Sequence, residues 1–388
     1  MTPDGFPIVG IVGAGQLARM MVQAAIPLGI EVRVLAERPT DSAALVCPHV
    51  DIGHPDSAQD LHDFAERVDI VTLDHELVND EALERIEASG GLVRPGAATL
   101  RYAKDKLHQR RGFAAAGLPV PAFAEVQGAG DIERFSEEHG WPVVAKAQRG
   151  GYDGRGVWIL DDREAARSLV QETQEAGVDL LVERFVPLHQ ELAVLVARRP
   201  SGESVVYPVV ETVQQDGICH EVIAPAPVDP AVAAQAVEIG RAVAEHTGAA
   251  GIVATELFLS DDGEVLINEI ATRPHNSGHV TMNACQTSQF ENHLRAVLDW
   301  QLGPTDLLVP TAVMANLLGA DREPLGPRVG LALSSGPVNA HLYGKEVRPG
   351  RKVGHVNALG DDLGETRQRA ALAAAIITGR APAGGRHE

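Results

Sequence analysis

Over the first hundred residues, short apolar β-rich runs alternate with stretches of helical periodicity. "PIVGIVG" reads as a strand, "QLARMMVQAAIPLG" as a helix ending at Gly29, and "EVRVLAE" as a second strand. "IVTLDHEL" is a third strand candidate, and "DEALERIEAS" a helix after it. Strands alternating with helices predict a parallel sheet with helical crossovers. One helix is then predicted from about Ala97 to Ala116, ended by the two prolines of "GLPVP". Up to about Trp300 the pattern mixes hairpins and helices: helix "IERFSEEH", helix "REAARSLVQETQEA" and strand "DLLVERFV". Beyond "GPTDLLVP" a smaller β-rich region closes with the helix "ETRQRAALAAAIITG". The fold class is α/β, α+β overall.

At 388 residues the chain exceeds one ordinary core, so two or three domains are expected. A formal net charge of −20 argues against nucleic acid or an anionic membrane as partner, since both need positive surface. It also makes any local basic cluster informative. No apolar run has membrane-spanning length, and "MTPDGFPIVGIVGAGQ" lacks the features of a signal peptide, so a cytoplasmic protein is expected. Cys47, Cys219 and Cys285 show no paired zinc spacing and are expected to be buried reduced thiols.

Two glycine motifs carry candidate chemistry. Gly13-Ala14-Gly15-Gln16-Leu17-Ala18 follows a strand and opens a helix, and Glu37 ends the next strand. Taken alone, this is a dinucleotide-binding turn and suggests an NAD-dependent oxidoreductase; the alternative is plain helix-on-strand packing. The second motif is more specific. Val143 to Ala145 form a strand that delivers Lys146, Gly150, Gly151, Gly154 and Gly156 follow, and Val157 to Leu160 return. Such a loop can turn its N–H groups inward as a nest for phosphate oxygens, with the lysine charge at its base.

"ATELFLSDDGEVLINEI" supplies an acid pair. With Asp262-Gly263 as a two-residue turn, Asp261 pairs with Glu264 and Glu256 lies opposite Glu269. With Asp261-Asp262 as the turn, both acids still share a face. Like charges so placed want a cation, and hard oxygen ligands suit Mg²⁺ carrying nucleotide phosphates, with Asn268 adding a neutral oxygen. Arg273, His275, Asn276 and Ser277 follow directly. Arginine offers a fork for an anion, and His275 is either a general base or a structural histidine. Lys345, Arg348, Arg351, Lys352 and His355 form a basic cluster around a turn at Pro349-Gly350, a candidate site for a substrate phosphate.

Together these residues resemble an ATP-grasp enzyme, most closely the 5-(carboxyamino)imidazole ribonucleotide synthetase (PurK) family. The motifs that carry the resemblance are "GIVGAGQLARM", "AKDKL", "GGYDGRG", "NEIATRPHNSGH", "SQFENHLRA" and "YGKEVRPGRKVGH", in the family's order. The resemblance implies a Rossmann-like N-terminal domain over 1–104, a two-lobed ATP-grasp domain over 105–302 and a small β-rich domain over 303–388, usually as a homodimer. It implies that ATP, bicarbonate and 5-aminoimidazole ribonucleotide give the carboxyamino product, ADP and phosphate through carboxyphosphate, with Mg²⁺ as cofactor, in purine biosynthesis. A related ATP-grasp ligase, such as a formate-using glycinamide ribonucleotide transformylase, is the alternative. By resemblance, Lys106 and Lys146 contact ATP phosphates under a loop of Gly151, Tyr152, Asp153, Gly154, Arg155 and Gly156. Glu183 with the backbone of Arg184, Phe185 and Val186 reads adenine, Glu191 the ribose, and Glu256 and Glu269 hold Mg²⁺ beside Asn268. Tyr152, Asp153, Arg155, Arg273, His275 and Asn276 meet substrate and carboxyphosphate, and Lys345, Arg351 and Lys352 clamp the 5′-phosphate. Gly15, Gln16 and Leu17 face that same substrate, with Asp74 or Glu76 near its ribose. Two positions depart from the family: Gln214 stands where histidine is common, and Asp74 where glutamate is common.

Overall fold

The computed structural model describes residues 2, 5–150, 155–320 and 324–379. The first region alternates as its periodicity predicts: β1 (Ile8–Val12), α1 (Gln16–Ala25), β2 (Glu31–Ala36), β3 (His49–Ile52), α2 (Ala58–Ala65), β4 (Ile70–Leu73) and α3 (Asp80–Ala88). All its strands are parallel, in the order β3-β2-β1-β4. β3 carries no apolar run, which is why sequence patterning passes over it: its four residues are at most half-buried. The strand in "IVTLDHEL" ends at Leu73, and Asp74 to Glu76 lie in the loop beyond it.

The helix expected over Ala97 to Ala116 is two helices, α4 (Ala97–Lys104) and α5 (Lys106–Ala115). Asp105 divides them. Its backbone is extended (φ −125°, ψ 104°) and its carboxylate accepts the N–H of His108 at 2.8 Å. Aspartate favours this capping role over a helix interior. The break redirects the chain so that Lys106 opens a new helix, its N–H donating to Gln148 O at 2.9 Å.

A small lobe follows: β5 (Phe123–Val126), α6 (Ala129–His139), β6 (Val143–Ala147), β7 (Val157–Leu160), α7 (Arg163–Glu175) and β8 (Leu180–Arg184). Its sheet runs β5-β8-β6-β7, entirely antiparallel. The larger sheet is built from β9 (Leu188–Arg198), β10 (Ser204–Val206), β11 (Val210–Gln215) and β12 (Ile218–Ala224), with β13 (Gly251–Ser260) and β14 (Val265–Ala271) after helix α8 (Pro230–His246). Two helices, α9 (Thr281–Ala284) and α10 (Gln289–Val297), then lead to β15 (Thr311–Leu318), α11 (Gly326–Ser334), β16 (Val338–Leu342), β17 (Lys352–Gly360) and α12 (Leu363–Thr378). β15 pairs with β12, so the C-terminal strands extend the same nine-stranded sheet, β14-β13-β9-β11-β12-β15-β17-β16, with β10 on β9.

Helix α10 lies where the regions meet. Phe290 and Leu294 enter the core formed by β1, α1 and β2, which Tyr343 also joins. His293 Nδ1 accepts the N–H of Ile252 on β13 at 3.1 Å, while its Nε2 lies 2.8 Å from Thr72 Oγ1 on β4. Because Nδ1 accepts, Nε2 carries the proton and donates to Thr72. Burial pushes this imidazole down to about 3, so the link stays neutral. Among the described residues, no helix is long and apolar enough to cross a membrane.

Candidate active site

The two lobes face each other across a cavity of 440 Å³. β6 contributes Val144 and Lys146, β7 contributes Val157 and Ile159, and the β8–β9 connection contributes Arg184, Phe185, Val186 and Leu188. The large sheet supplies Glu191, Thr212, Gln214, Cys219, Glu256, Phe258, Asn268 and Glu269. Apolar side chains from β6, β7 and the β8–β9 connection, beside a densely charged remainder, suit a flat heterocycle with a charged tail.

Cations occupy the floor. Lys146 Nζ is 2.8 Å from Glu183 Oε2 and donates to Asn268 Oδ1 at 3.1 Å. Glu183 is held from its other side by Arg110, whose Nε donates to Oε1 at 2.7 Å and whose Nη2 donates to Asn268 O at 2.5 Å. Burial alone would raise the Glu183 carboxyl, but Arg110 and Lys146 hold it down at about 2. Burial, with Arg110 and Lys106 nearby, depresses the Lys146 ammonium against the pull of Glu183. Lys106 Nζ meets Glu269 Oε2 at 2.6 Å. Three cations thus share two carboxylates, and the surplus positive charge favours an incoming anion.

The acid pair stands as its register predicts, though by a different route. Glu256 is opposite Glu269. The turn is not the two-residue Asp262-Gly263 expected: Ser260 N–H donates to Glu264 O, leaving Asp261, Asp262 and Gly263 in the loop, with Gly263 at φ +82°. Continued unbroken from this longer turn, the register would set Glu256 opposite Asn268 and misalign the acids. A bulge between the Leu257–Ile267 and Glu256–Glu269 pairs inserts Asn268 and realigns them. The bulge also frees Asn268 to serve both Lys146 and Arg110.

Glu191 on the adjacent β9 completes the acidic side. Burial raises its carboxyl to about 7, with Glu256 and Glu269 adding to the rise and the hydrogen bond from Gln214 opposing it. This excess negative charge fits a divalent cation: Glu256 and Glu269 offer hard oxygens, and Mg²⁺ needs only one or two carboxylates when phosphates share it. A folded-state carboxyl raised to about 7 from 4.5 contributes stability only while protonated. That contribution is lost as pH climbs from about 4.5 and is gone just above 7. Glu191→Gln removes the titration, so its melting temperature relative to the wild type should rise between about pH 5 and pH 8 in ligand-free protein. A gap independent of pH would refute the assignment.

Beyond β14, the chain turns along the cavity wall. His275 Nε2 lies 3.2 Å from Glu256 Oε1, and its Nδ1 lies 2.8 Å from Ser277 Oγ. The Asn276 amide exchanges two hydrogen bonds with Asn316 of β15, at 3.0 and 2.8 Å. Lys352 of β17 reaches the same cavity. Arg273 points toward the N-terminal domain and donates to Glu76 Oε2 at 2.9 Å. Burial opposes its charge, but Glu76, Asp74 and Glu256 outweigh it and hold the guanidinium protonated.

Lys345, Arg348 and Arg351 of the basic cluster lie on the connection between β16 and β17, with Gly350 at φ +75° in its turn, while Lys352 starts β17 and His355 is buried within that strand. Lys345 donates to Gln16 Oε1 at the start of α1. Burial lowers its ammonium, Arg351 and Lys352 lower it further, and Asp74 opposes them. Basic connection, α1 and Arg273 therefore converge at the seam between the N-terminal sheet and the large one.

The first glycine turn is not a dinucleotide site. Asp74 occupies the anion position itself, accepting the N–H groups of Gly15 at 2.6 Å and Ala18 at 2.7 Å. A Cβ at residue 15 would collide with that carboxylate, which is why glycine stands there. No room remains for a pyrophosphate, and the nicotinamide reading falls. Leu17 turns its side chain into the core, so only its main chain faces outward. Gly151, Tyr152, Asp153 and Gly154 lie outside the described residues; Arg155 lines the cavity and the carbonyl of Gly156, N-terminal to β7, accepts the N–H of Ala147.

Sequence reasoning passed over Arg110, which is fully buried. Its signal was its spacing: it falls midway between Leu107 and Phe113 on the buried stripe of α5, where a charge needs a partner. The polar residues of α10 were missed for the same reason: Gln289, Asn292 and His293 are all fully buried.

The comparisons agree with this geometry. A model of the ribonucleotide synthetase preATP-grasp domain matches residues 7–104, the ATP-grasp domain matches 111–290, and the phosphoribosylaminoimidazole carboxylase C-terminal domain matches 312–369. The N5-carboxyaminoimidazole ribonucleotide synthase of Mycobacterium tuberculosis is 48% identical over 375 residues, covering 95% of this chain and 87% of that protein. The synthase of Corynebacterium ammoniagenes is 43% identical, covering 97% and 93%. An ADP complex of an N5-carboxyaminoimidazole ribonucleotide synthetase superposes with TM-score 0.88 at 33% identity, covering 96% of this chain and 98% of that one. The Aspergillus clavatus synthase in complex with ADP and 5-aminoimidazole ribonucleotide superposes with TM-score 0.87 at 29% identity, covering 96% and 98%. Shared architecture and identity along nearly the whole length place this chain in the N5-carboxyaminoimidazole ribonucleotide synthase family of ATP-grasp enzymes.

Proposed function

We propose that this chain carboxylates the exocyclic amine of 5-aminoimidazole ribonucleotide with ATP and bicarbonate, acting in purine biosynthesis as a cytoplasmic homodimer. The observation that carries the reading is the continuity of two charged regions. The cavity with its cation floor is lined as far as His275, Asn276 and Lys352, and Lys352 with Arg351 is near enough to the Lys345 ammonium to lower it. One end suits a nucleoside triphosphate and the other a nucleotide monophosphate. The division into domains 1–104, 105–302 and 303–388 draws support from the spans of the matched models.

Adenine lies between Val144, Ile159 and the β8–β9 connection, where main-chain groups of Arg184 to Val186 can read its edge. Gln214 and Glu191 face the ribose. Lys106 and Lys146 neutralise the polyphosphate, exchanging carboxylate partners for phosphate oxygens. Glu256 and Glu269 would hold Mg²⁺, which supplies Lewis-acid neutralisation of the phosphate charge when bound. A bicarbonate oxygen bonds to the γ-phosphorus as the bond to ADP breaks, giving carboxyphosphate. The exocyclic amine then bonds to the carboxyl carbon, directly or after carbon dioxide leaves, and inorganic phosphate departs. The amine proton passes to a base, the role proposed for His275, whose ring is oriented by its contacts with Glu256 and Ser277. Positioning and charge neutralisation carry such a transfer. Arg273 and Arg155 bind the anionic intermediate, and Lys345, Arg351 and Lys352 hold the 5′-phosphate.

Purified protein with Mg-ATP and bicarbonate should release ADP several-fold faster when 5-aminoimidazole ribonucleotide is added, and omission of bicarbonate should remove that stimulation. Stimulation instead by glycinamide ribonucleotide with formate would overturn the reading in favour of the formate-using ligase.

A further inference from the structure

The motif "SQFENHLRA" contributes no side chain to the cavity, yet its first helical residue holds the cavity wall. Gln289, at the start of α10, is fully buried. Its Oε1 accepts the N–H of His275 at 2.8 Å, and its Nε2 donates to His275 O at 2.7 Å. One amide thus makes the two-bond ring that a neighbouring strand would make with a paired residue. Nε2 also lies 3.0 Å from His279 Nδ1. An amide nitrogen only donates, so His279 Nδ1 accepts and its Nε2 keeps the proton. The amide orientation is settled by the His275 N–H, which requires an oxygen opposite.

The contacts around it are close. The Gln289 main-chain N–H donates to Thr281 Oγ1 at 2.9 Å, and Thr281 Oγ1 donates to Gly278 O at 2.6 Å. A Cβ at residue 278 would collide with the Gln289 amide and with Leu195. The chain from His275 to Thr281 is therefore wrapped around this side chain. On its outer surface, His275, Asn276 and Ser277 line the cavity in succession. Among the described residues, the remaining main-chain hydrogen bond of His275, from the Gly278 N–H, lies within the same turn.

We propose that Gln289 is a positioning residue for the carboxylation: through the main chain of His275 it fixes the direction in which the His275 and Asn276 side chains enter the cleft. It touches no substrate. The proposal rests on the functional reading above and adds a residue to it. It also separates the two halves of the cleft. The proposed adenine and phosphate contacts sit on α5, β6, β7, β8, β9 and the β8–β9 connection, and the magnesium acids on β13 and β14; Gln289, which bonds to His275, His279 and Thr281, touches none of them. Its loss should spare nucleotide binding and impair the chemistry.

The test uses Gln289→Met and Gln289→Glu in the full chain. Methionine keeps the volume and loses both bonds. Its kcat for the stimulated ADP release should fall by about tenfold to a hundredfold, the size of effect a small misplacement produces, with KM for ATP within about twofold of wild type. Glutamate keeps an acceptor for the His275 N–H but cannot donate to His275 O while ionised. Its activity relative to wild type should therefore rise as pH is lowered and the carboxyl regains a proton. The proposal is overturned by Gln289→Met with unchanged kcat, by loss of ATP affinity in step with kcat, or by a Gln289→Glu ratio that ignores pH. If the methionine variant does not fold, the glutamate ratio decides. Wild-type stimulation by the aminoimidazole nucleotide is measured first. Its absence would sink the functional reading, whereas a stimulated wild type beside an unimpaired Gln289→Met sinks this inference alone.

Discussion

Glu269→Gln should fold and bind nucleotide, yet release ADP about a hundredfold or more slowly under stimulation, the order of loss seen when one fixed transition-state contact is removed. The carboxylate plays two parts that an amide cannot play together. It stands opposite Glu256, so it is half of the only facing acid pair that β13 and β14 bring to the cavity among the described residues. It also pairs with Lys106 at 2.6 Å. Burial would raise this carboxyl, but Lys106, Lys146 and His275 hold it below the ordinary carboxylate range, so it meets a cation already charged. An amide of the same shape removes the charge and leaves Lys106 facing Lys146 with one fewer counter-ion. Stability should change little, because the pair opens into the cavity, where ion pairs contribute at most about 1 kcal/mol. The magnesium concentration needed for half-maximal rate should rise. An unchanged rate and magnesium dependence would remove Glu269 from the site.

How much of this was legible before the fold is clear from particular residues. The parallel N-terminal sheet followed from alternating periodicity, and the Glu256–Glu269 pairing from a strong turn and period-two arithmetic. The pairing survived although the turn was one residue longer, because the Asn268 bulge restores the register. Neither departure has a local sequence signature, since a bulge is chosen by what it lets Asn268 and Arg110 do together. The break at Asp105 was locally visible as a capping residue and was overridden by the helical pattern around it. The part Asp74 plays in the glycine turn could not be read locally. A carboxylate 59 residues away in sequence filling the anion position of a glycine turn is a tertiary fact. Gln289 and Arg110 are buried polar residues on apolar helix faces, and pattern alone places such residues without saying whom they meet.

The largest stability loss should come from Arg110→Leu. Arg110 is fully buried and makes hydrogen bonds to Glu183 Oε1, Gln109 Oε1 and Asn268 O. Removing one partner of a buried ion pair costs about 3–5 kcal/mol, because the other is left uncompensated. Here Lys146 remains beside Glu183, at 2.8 Å, so the loss belongs at the lower end of that range. The pH dependence carries the diagnosis. Arg110 and Lys146 together hold the Glu183 carboxyl at about 2 against burial, the Arg110 charge being the largest single pull. A carboxyl depressed from 4.5 contributes stability that is present above that value and lost as pH falls through the folded-state value. Without Arg110 the folded value climbs and the contribution shrinks. The gap in melting temperature between wild type and variant should be widest near neutral pH and narrow as pH falls below about 4.5. A second consequence follows at the cleft. With Arg110 gone, Glu183 and Lys146 form a neutral pair, the surplus positive charge on the floor disappears, and ADP should bind more weakly in the folded variant. A variant that is destabilised equally at all pH values and binds ADP as wild type does would show that Arg110 only fills space. Loss of both the pH-dependent stability and the ADP affinity would show that one buried guanidinium both holds the lobes' shared network together and sets the charge that nucleotide phosphates meet.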